Sequence, residues 1–211
     1  MNKLIINNKD NVLDINEDSL ITIFNTNIKS LDLNIFDNVK VFINDFRIIN
    51  KSSTNININI KDNSNLIYNH SFINENKYNL NVNTNYKGNN SEITFNIHGI
   101  NEKGISNINF DGILNNNINN TLLENIKLIN IKEGTGVVIP NILVSNNEVV
   151  ANHKATIGFI SKEELNYLMS KGISKKEAEY LILTGFLINV FEDKKLITNI
   201  KELINWRDKN E

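Results

Sequence analysis

Up to about residue 158, apolar and polar residues alternate with a period of two. "TNININIKD" places Ile56, Ile58 and Ile60 on one face and Asn55, Asn57 and Asn59 on the other. "YNLNVNTNY" repeats the pattern with Tyr78, Leu80 and Val82, and "SEITFNIHG" with Ile93, Phe95 and Ile97. Such alternation predicts half-buried strands, recurring about every 8–12 residues, a spacing that suits a sandwich, a barrel or a solenoid. Hairpin signals are scarce: Asn-Gly is absent and Asp111-Gly112 is the one Asp-Gly. That scarcity favours stacked coils, in which like residues lie over like, although no strict repeat length emerges.

At residue 161 the period changes. Ser161 and Glu164 match the capping-box spacing, with Ile160 and Leu165 at the staple positions. Leu165, Leu168 and Met169 then recur at helical spacing until Gly172 supplies a stop. Ser174 and Glu177 repeat the start signal. The helix they open carries Ala178, Leu181, Ile182, Phe186 and Val190 on one side and Tyr180, Leu183, Leu187, Ile188 and Phe191 on the other. A helix apolar all round is buried on more than one side. A third helix bears Leu196, Ile197, Ile200, Leu203 and Ile204, with Trp206 off that stripe. The expected organisation is a β body over residues 1–158 and a small helical domain over 159–211.

Composition narrows the function classes. The hydrophobic fraction of 40% supports a real core. A formal net charge of −2 gives no basic field for nucleic acid or anionic lipid, and no run reaches the roughly 20 apolar residues of a membrane span. The opening "MNKLIINNKDN" lacks an apolar export core, so the expected location is the cytoplasm. With no cysteine, disulfides, thiolate metal sites and cysteine nucleophiles are excluded. Asparagine makes up roughly a fifth of the chain against an average of a few per cent. An AT-rich genome explains much of that, but Asn also tolerates left-handed backbone and can make the bends that 9 glycines and 1 proline leave to others.

Candidate chemistry is sparse. His153 shares a face with Val149, Ala151, Ala155 and Ile157, which by residues alone describes a histidine at the edge of an apolar face. His70 and His98 are expected at the surface, His98 on the polar face with Glu92, Thr94 and Asn96. No phosphate loop, nucleophile elbow or zinc-protease motif occurs. Catalysis by this chain alone is not expected.

The segments "PNILVSNNEVVANHKATIG" (140–158) and "ISKEELNYLMSKGISKKEAEYLILTGF" (160–186) resemble the SufB/SufD family of iron–sulfur cluster assembly scaffolds. His153, Ala155, Thr156 and Gly158 match one signature. Tyr167, Leu168, Ser170, Gly172 and Ile173 match the next, and Gly185 and Phe186 close it. "GISNINFDGILNNN" (104–117) resembles the family's Phe-x-Gly strand more faintly.

The resemblance implies a mainly β fold: a right-handed parallel β-helix followed by C-terminal helices. It implies that the helices dock a SufC-like ABC ATPase, and that the β-helix pairs with a second SufB/SufD-like subunit, as a homo- or heterodimer. The candidate residues at that junction are His153, tentatively a metal ligand, and Lys154. Those for ATPase contact are Tyr167, Lys171, Gly172, Ile173, Phe186 and Trp206. No stably bound cofactor is implied, only a transient iron–sulfur cluster shared with the partner chain. Lacking the cysteine of SufB-like members, the chain resembles the SufD-like half. Two other classes stay open: an Asn-rich β-solenoid that binds glycans or protein surfaces, and a β-helical polysaccharide enzyme. The latter is disfavoured by a single arginine, Arg47, in the β region.

Overall fold

The computed structural model describes residues 2–6, 10–114, 118–145 and 147–210, and of 206–210 the backbone only. The described residues form eleven strands followed by three helices: β1 Asn2–Ile6, β2 Asp10–Ile15, β3 Ser19–Phe24, β4 Ser30–Ile35, β5 Lys40–Ile60, β6 Asn65–Tyr86, β7 Glu92–Asn101, β8 Ile105–Leu114, β9 Asn120–Asn130, β10 Thr135–Val144, β11 Val149–Gly158, α1 Lys162–Ser170, α2 Lys175–Ile188 and α3 Lys194–Asn210. Each strand pairing is parallel. One face of the coil stacks β1, β3, the first half of β5, the first half of β6, β7, β9 and β11; the other stacks β2, β4, the second halves of β5 and β6, β8 and β10. The architecture is therefore a parallel β-solenoid of about five turns, as the alternation and the missing hairpin signals predict.

The register explains why no fixed repeat is visible in the sequence. Following one column of partners, Leu4, Ile21, Ile43, Tyr68, Phe95, Glu124 and His153 lie over one another, so successive turns advance by 17, 22, 25, 27, 29 and 29 residues. The strand alternation is constant while the turn lengthens toward the C-terminal end.

Asparagine does two jobs in this coil. Asn38, Asn63, Asn90 and Asn119 all adopt left-handed backbone, φ between 54° and 61°, and recur once per turn at the same corner. Short polar side chains tolerate that conformation where β-branched residues do not. On the outward faces, amides bond to amides one turn away: Asn125 donates to Asn96 (3.0 Å), Asn96 to Asn69 (2.9 Å) and Asn69 to Asn44 (3.2 Å). Asn109 likewise donates to Asn81 and Asn81 to Asn55, at 2.9 and 2.8 Å. The inward positions hold isoleucine, leucine and aromatic side chains, including Ile21, Ile43, Leu80, Ile93 and Phe110, all fully buried.

α2 and α3 turn back along the flank of the coil and cover a ridge made by Phe46, Ile73 and Ile100 on successive turns, sharing a core in which Leu187, Phe191, Leu196, Ile200 and Ile204 are buried. This is why α2 is apolar on all sides: it lies between α1, α3 and the coil. Ser161 and Ser174 cap α1 and α2 by accepting from the backbone N–H of Glu164 and Glu177, as their spacing predicts. Gly172, at φ 87°, ends α1 in a Schellman turn, with the Gly172 N–H bonded to the Met169 carbonyl and the Ile173 N–H to that of Leu168.

Candidate functional site at the open end of the coil

The last turn of the solenoid, β10 and β11, pairs on one side only: β10 with β8, and β11 with β9. It carries apolar residues that none of the described residues covers. Val137, Ile139, Leu143, Val150 and Ile157 are each 43–58% exposed. A strand edge with unpaired backbone groups and exposed apolar side chains is a template for another chain.

His153 sits in the middle of this edge, exposed, in register with Glu124 on the turn below. Alternation puts His153 on the inward-type face with Ala151 and Ala155. Lys154 instead pairs in register with Asn125, whose side chain belongs to the outward asparagine ladder. The two adjacent candidates therefore lie on opposite faces of the strand and do not converge.

Glu124 escaped the sequence reading. Its neighbours on the inward face are Leu122, Ile126 and Leu128, all buried, and it is itself 1% exposed. Both carboxylate oxygens lack a hydrogen-bond partner, and burial pushes the carboxyl up to about 8. The signal was present in "TLLENIKLI" as one acid on an otherwise apolar period-two face.

The other two histidines are not at the surface, contrary to expectation. His70 is fully buried inside the coil. Its Nδ1 lies 3.3 Å from both the backbone carbonyl and a carboxylate oxygen of Asp45, and its Nε2 lies 3.1 Å from the Tyr78 hydroxyl. Asp45 also accepts from Arg47, through Nε at 2.8 Å and through Nη2, and from the Tyr68 hydroxyl at 3.0 Å. Burial alone would raise the Asp45 carboxyl. Arg47 and His70 outweigh that and hold it well below the usual carboxylate range. Arg47 Nη1 donates to Thr54, whose hydroxyl donates to the Ile28 carbonyl. The cluster is a closed polar knot inside the core, and it occupies the one arginine of the β region.

His98 does share the polar face with Glu92, Thr94 and Asn96, but α2 covers that face at its far end. The imidazole stacks on Phe186, with centroids 4.6 Å apart and planes 7° apart, and its Nδ1–H donates to the Phe186 carbonyl at 2.7 Å. Desolvation holds the imidazole below its ordinary range, and Lys127, its register partner, adds to that. Phe186 thus faces its own coil.

The remaining helical candidates lie on α1, at its stop and on α3. Tyr167 is 63% exposed on α1, with Lys171 Nζ 5.4 Å above its ring. Phe159, 78% exposed, and Met169 and Leu181 extend the apolar exposure of this region. Gly172 and Ile173 form the helix stop described above. Trp206 lies in α3, and its side chain is outside the described residues. No helix is long and apolar enough to cross a membrane. Among the described residues no cluster of three or more histidine or acidic side chains is placed to hold a metal.

Comparison with known proteins agrees with this architecture. Residues 51–186 match the family described as SUF system FeS cluster assembly, SufBD core domain. The iron–sulfur cluster assembly protein SufD of Bacillus subtilis (strain 168) is 38% identical over 66 residues, 31% of this chain and 15% of that protein. A SufBD family iron–sulfur cluster assembly protein of Staphylococcus aureus (strain USA300) is 42% identical over 55 residues, 26% of this chain and 12% of that one. The alignments thus span a small part of these relatives, while the family model covers well over half of this chain. On that match, together with the solenoid and its C-terminal helices, the chain belongs to the SufBD family.

Proposed function

We propose that this protein is a non-catalytic scaffold subunit of a SUF-type iron–sulfur cluster assembly complex. Its last turn would pair with a second SufB/SufD-like chain, and its helices would bind an ABC-type ATPase whose nucleotide cycle shifts the paired scaffolds. The observation that carries this reading is the uncapped β10–β11 edge, with His153 at the centre of β11 and five large apolar side chains exposed along the two strands. A stable edge pairing would cover those side chains and satisfy the free backbone groups of both strands. Iron and sulfur would meet at the covered junction as cargo, the neutral imidazole of His153 offering one nitrogen ligand. Exposed Tyr167, Met169 and Leu181 on the helices, with Phe159 just before α1, supply a second apolar surface for the ATPase.

The outward asparagine ladders do not favour the glycan-binding alternative, because their amides are largely engaged with one another. Co-purification tests the scaffold reading. The chain should retain an ABC-type ATPase, and should lose it on Tyr167→Ala with Leu181→Asp. In cells, His153→Ala should lower the activity of iron–sulfur enzymes while leaving the fold intact. Retention of a glycan in place of an ATPase would overturn the assignment.

A further inference from the structure

We infer that the groove between the α2–α3 turn and the outward face of the coil binds an extended peptide segment of a partner, apolar at its centre and oppositely charged toward its two ends. The groove has a volume of about 610 Å3 and is walled on one side by Val190 and Glu192 of the turn. Its floor is one register column, Lys3, Leu20, Phe42 and Ile67. Three successive turns thus present large apolar side chains outward, each only half-buried. The neighbouring column is the asparagine ladder, and that ladder has a direction. Asn125, Asn96 and Asn69 each donate to the amide one turn before, ending on Asn44 Oδ1. Asn44 is 6% exposed, and its own Nδ2 finds no acceptor among the described residues, Thr22 in the next register position included. The open space that Asn44 lines is this groove. Aligned amides polarise one another, which makes the terminal N–H a strong donor. Left without an acceptor it costs stability, and a peptide carbonyl in the groove would supply one.

Shape and charge select the occupant. From Lys3 on β1 to Asn96 on β7 the groove crosses four strand spacings, about 19 Å, which is the reach of about six extended residues. Lys3 on the first strand and Glu192 on the turn are both exposed, and neither has an ion-pair partner among the described residues. Asp193 is occupied, since its carboxylate caps α3 by accepting from the backbone N–H groups of Lys195 and Leu196. An acidic side chain of the peptide would meet Lys3, a basic one Glu192, and apolar ones Phe42 and Ile67. None of these residues belongs to the β10–β11 edge or to the exposed helical surface, so this site stands or falls independently of the scaffold reading.

The test is fluorescence anisotropy of the purified full chain with three labelled, end-capped hexapeptides. Each carries a leucine-rich centre, flanked by one glutamate and one lysine, by two glutamates, or by two lysines. Wild type should bind the mixed-charge peptide saturably and most tightly. Asn44→Asp keeps the oxygen that accepts from Asn69 but removes the donor, and should weaken binding by about tenfold. If circular dichroism shows that variant unfolded, Phe42→Ser at its half-buried position replaces it, with the same loss expected. Lys3→Glu, an exposed change, should move the preference to the two-lysine peptide, which a merely structural role would not do. No saturable binding of any of the three peptides by wild type, wild-type affinity in the folded Asn44 or Phe42 variant, or an unchanged ranking in Lys3→Glu overturns the site. A dimer in sedimentation that Phe42→Ser dissolves, with no peptide bound, would assign the groove to a second copy of this chain and equally overturn it.

Discussion

Removing the charge of Asp45 should destabilise the coil more than any surface change, because of what it leaves behind. Asp45→Asn keeps the volume but strips the charge partner from Arg47, which is 2% exposed inside the core. The guanidinium loses its ion pair through Nε and Nη2, keeping Thr54 at 3.1 Å, and the Tyr68 hydroxyl and His70 lose a charged acceptor. Breaking a buried pair by neutralising one member costs about 3–5 kcal/mol, against a total stability of about 5–15 kcal/mol. Urea unfolding followed by far-ultraviolet circular dichroism measures the loss. Asp45→Leu combined with Arg47→Met removes both charges and should recover part of it, the Tyr68 hydroxyl and His70 still lacking the acceptor. The wild-type carboxyl is depressed in the folded state, so its stabilisation is present above the ordinary carboxylate range and lost as pH falls below about 4. Asp45→Asn should therefore flatten the acid limb of the stability curve. A loss under about 1 kcal/mol, or a double variant no better than the single, would refute the reasoning.

Three further outcomes follow from other contacts. His98 is held below its ordinary range, so the folded state favours the neutral ring; stability is full above about pH 6.5 and falls as acid protonates the unfolded chain first. Besides Lys127 on the neighbouring strand, the groups facing the ring are the Phe186 side chain and carbonyl on α2. A lower amide-exchange protection factor in α2 at pH 5 than at pH 7.5, after correction for the intrinsic rates, abolished by His98→Gln, would bear this out, and equal protection would not. Gly99 lies inside the coil where an added Cβ would collide with the Phe72 ring, so Gly99→Ala should cost about 1–3 kcal/mol by thermal unfolding. At the left-handed corner, Asn90→Gly should be close to neutral while Asn90→Val should cost about 1–2 kcal/mol, and equal melting temperatures for the two would contradict the corner geometry.

The sequence by itself determined the local structure. A period of two over 158 residues fixes strands, since successive side chains on a strand point to opposite faces. The two Ser-x-x-Glu spacings fix helix starts because they satisfy orphan N–H groups within one turn. The scarcity of tight-turn dipeptides favoured stacked coils over hairpins, and abundant asparagine supplied both corners and ladders. These are short-range effects that each residue carries with it.

Contacts across turns were decided only by tertiary structure. The step between turns grows from 17 to 29 residues, so no sequence period announces that Glu124 lies under His153 or that Asp45 lies under His70. On the first half of β5 both faces mix apolar and polar letters, with Asp45 and Arg47 among Val41, Ile43 and Ile49. Alternation alone could not turn the charges inward, whereas pairing them with His70, Tyr68 and Thr54 makes burial tolerable. His98 reads as a surface residue because its strand face is polar. It is buried because α2 folds back over that face, a contact 88 residues away in the chain that depends on the Phe46–Ile73–Ile100 ridge. Each part of the candidate site was written in the sequence, but its convergence depends on which residues the stacking brings into register.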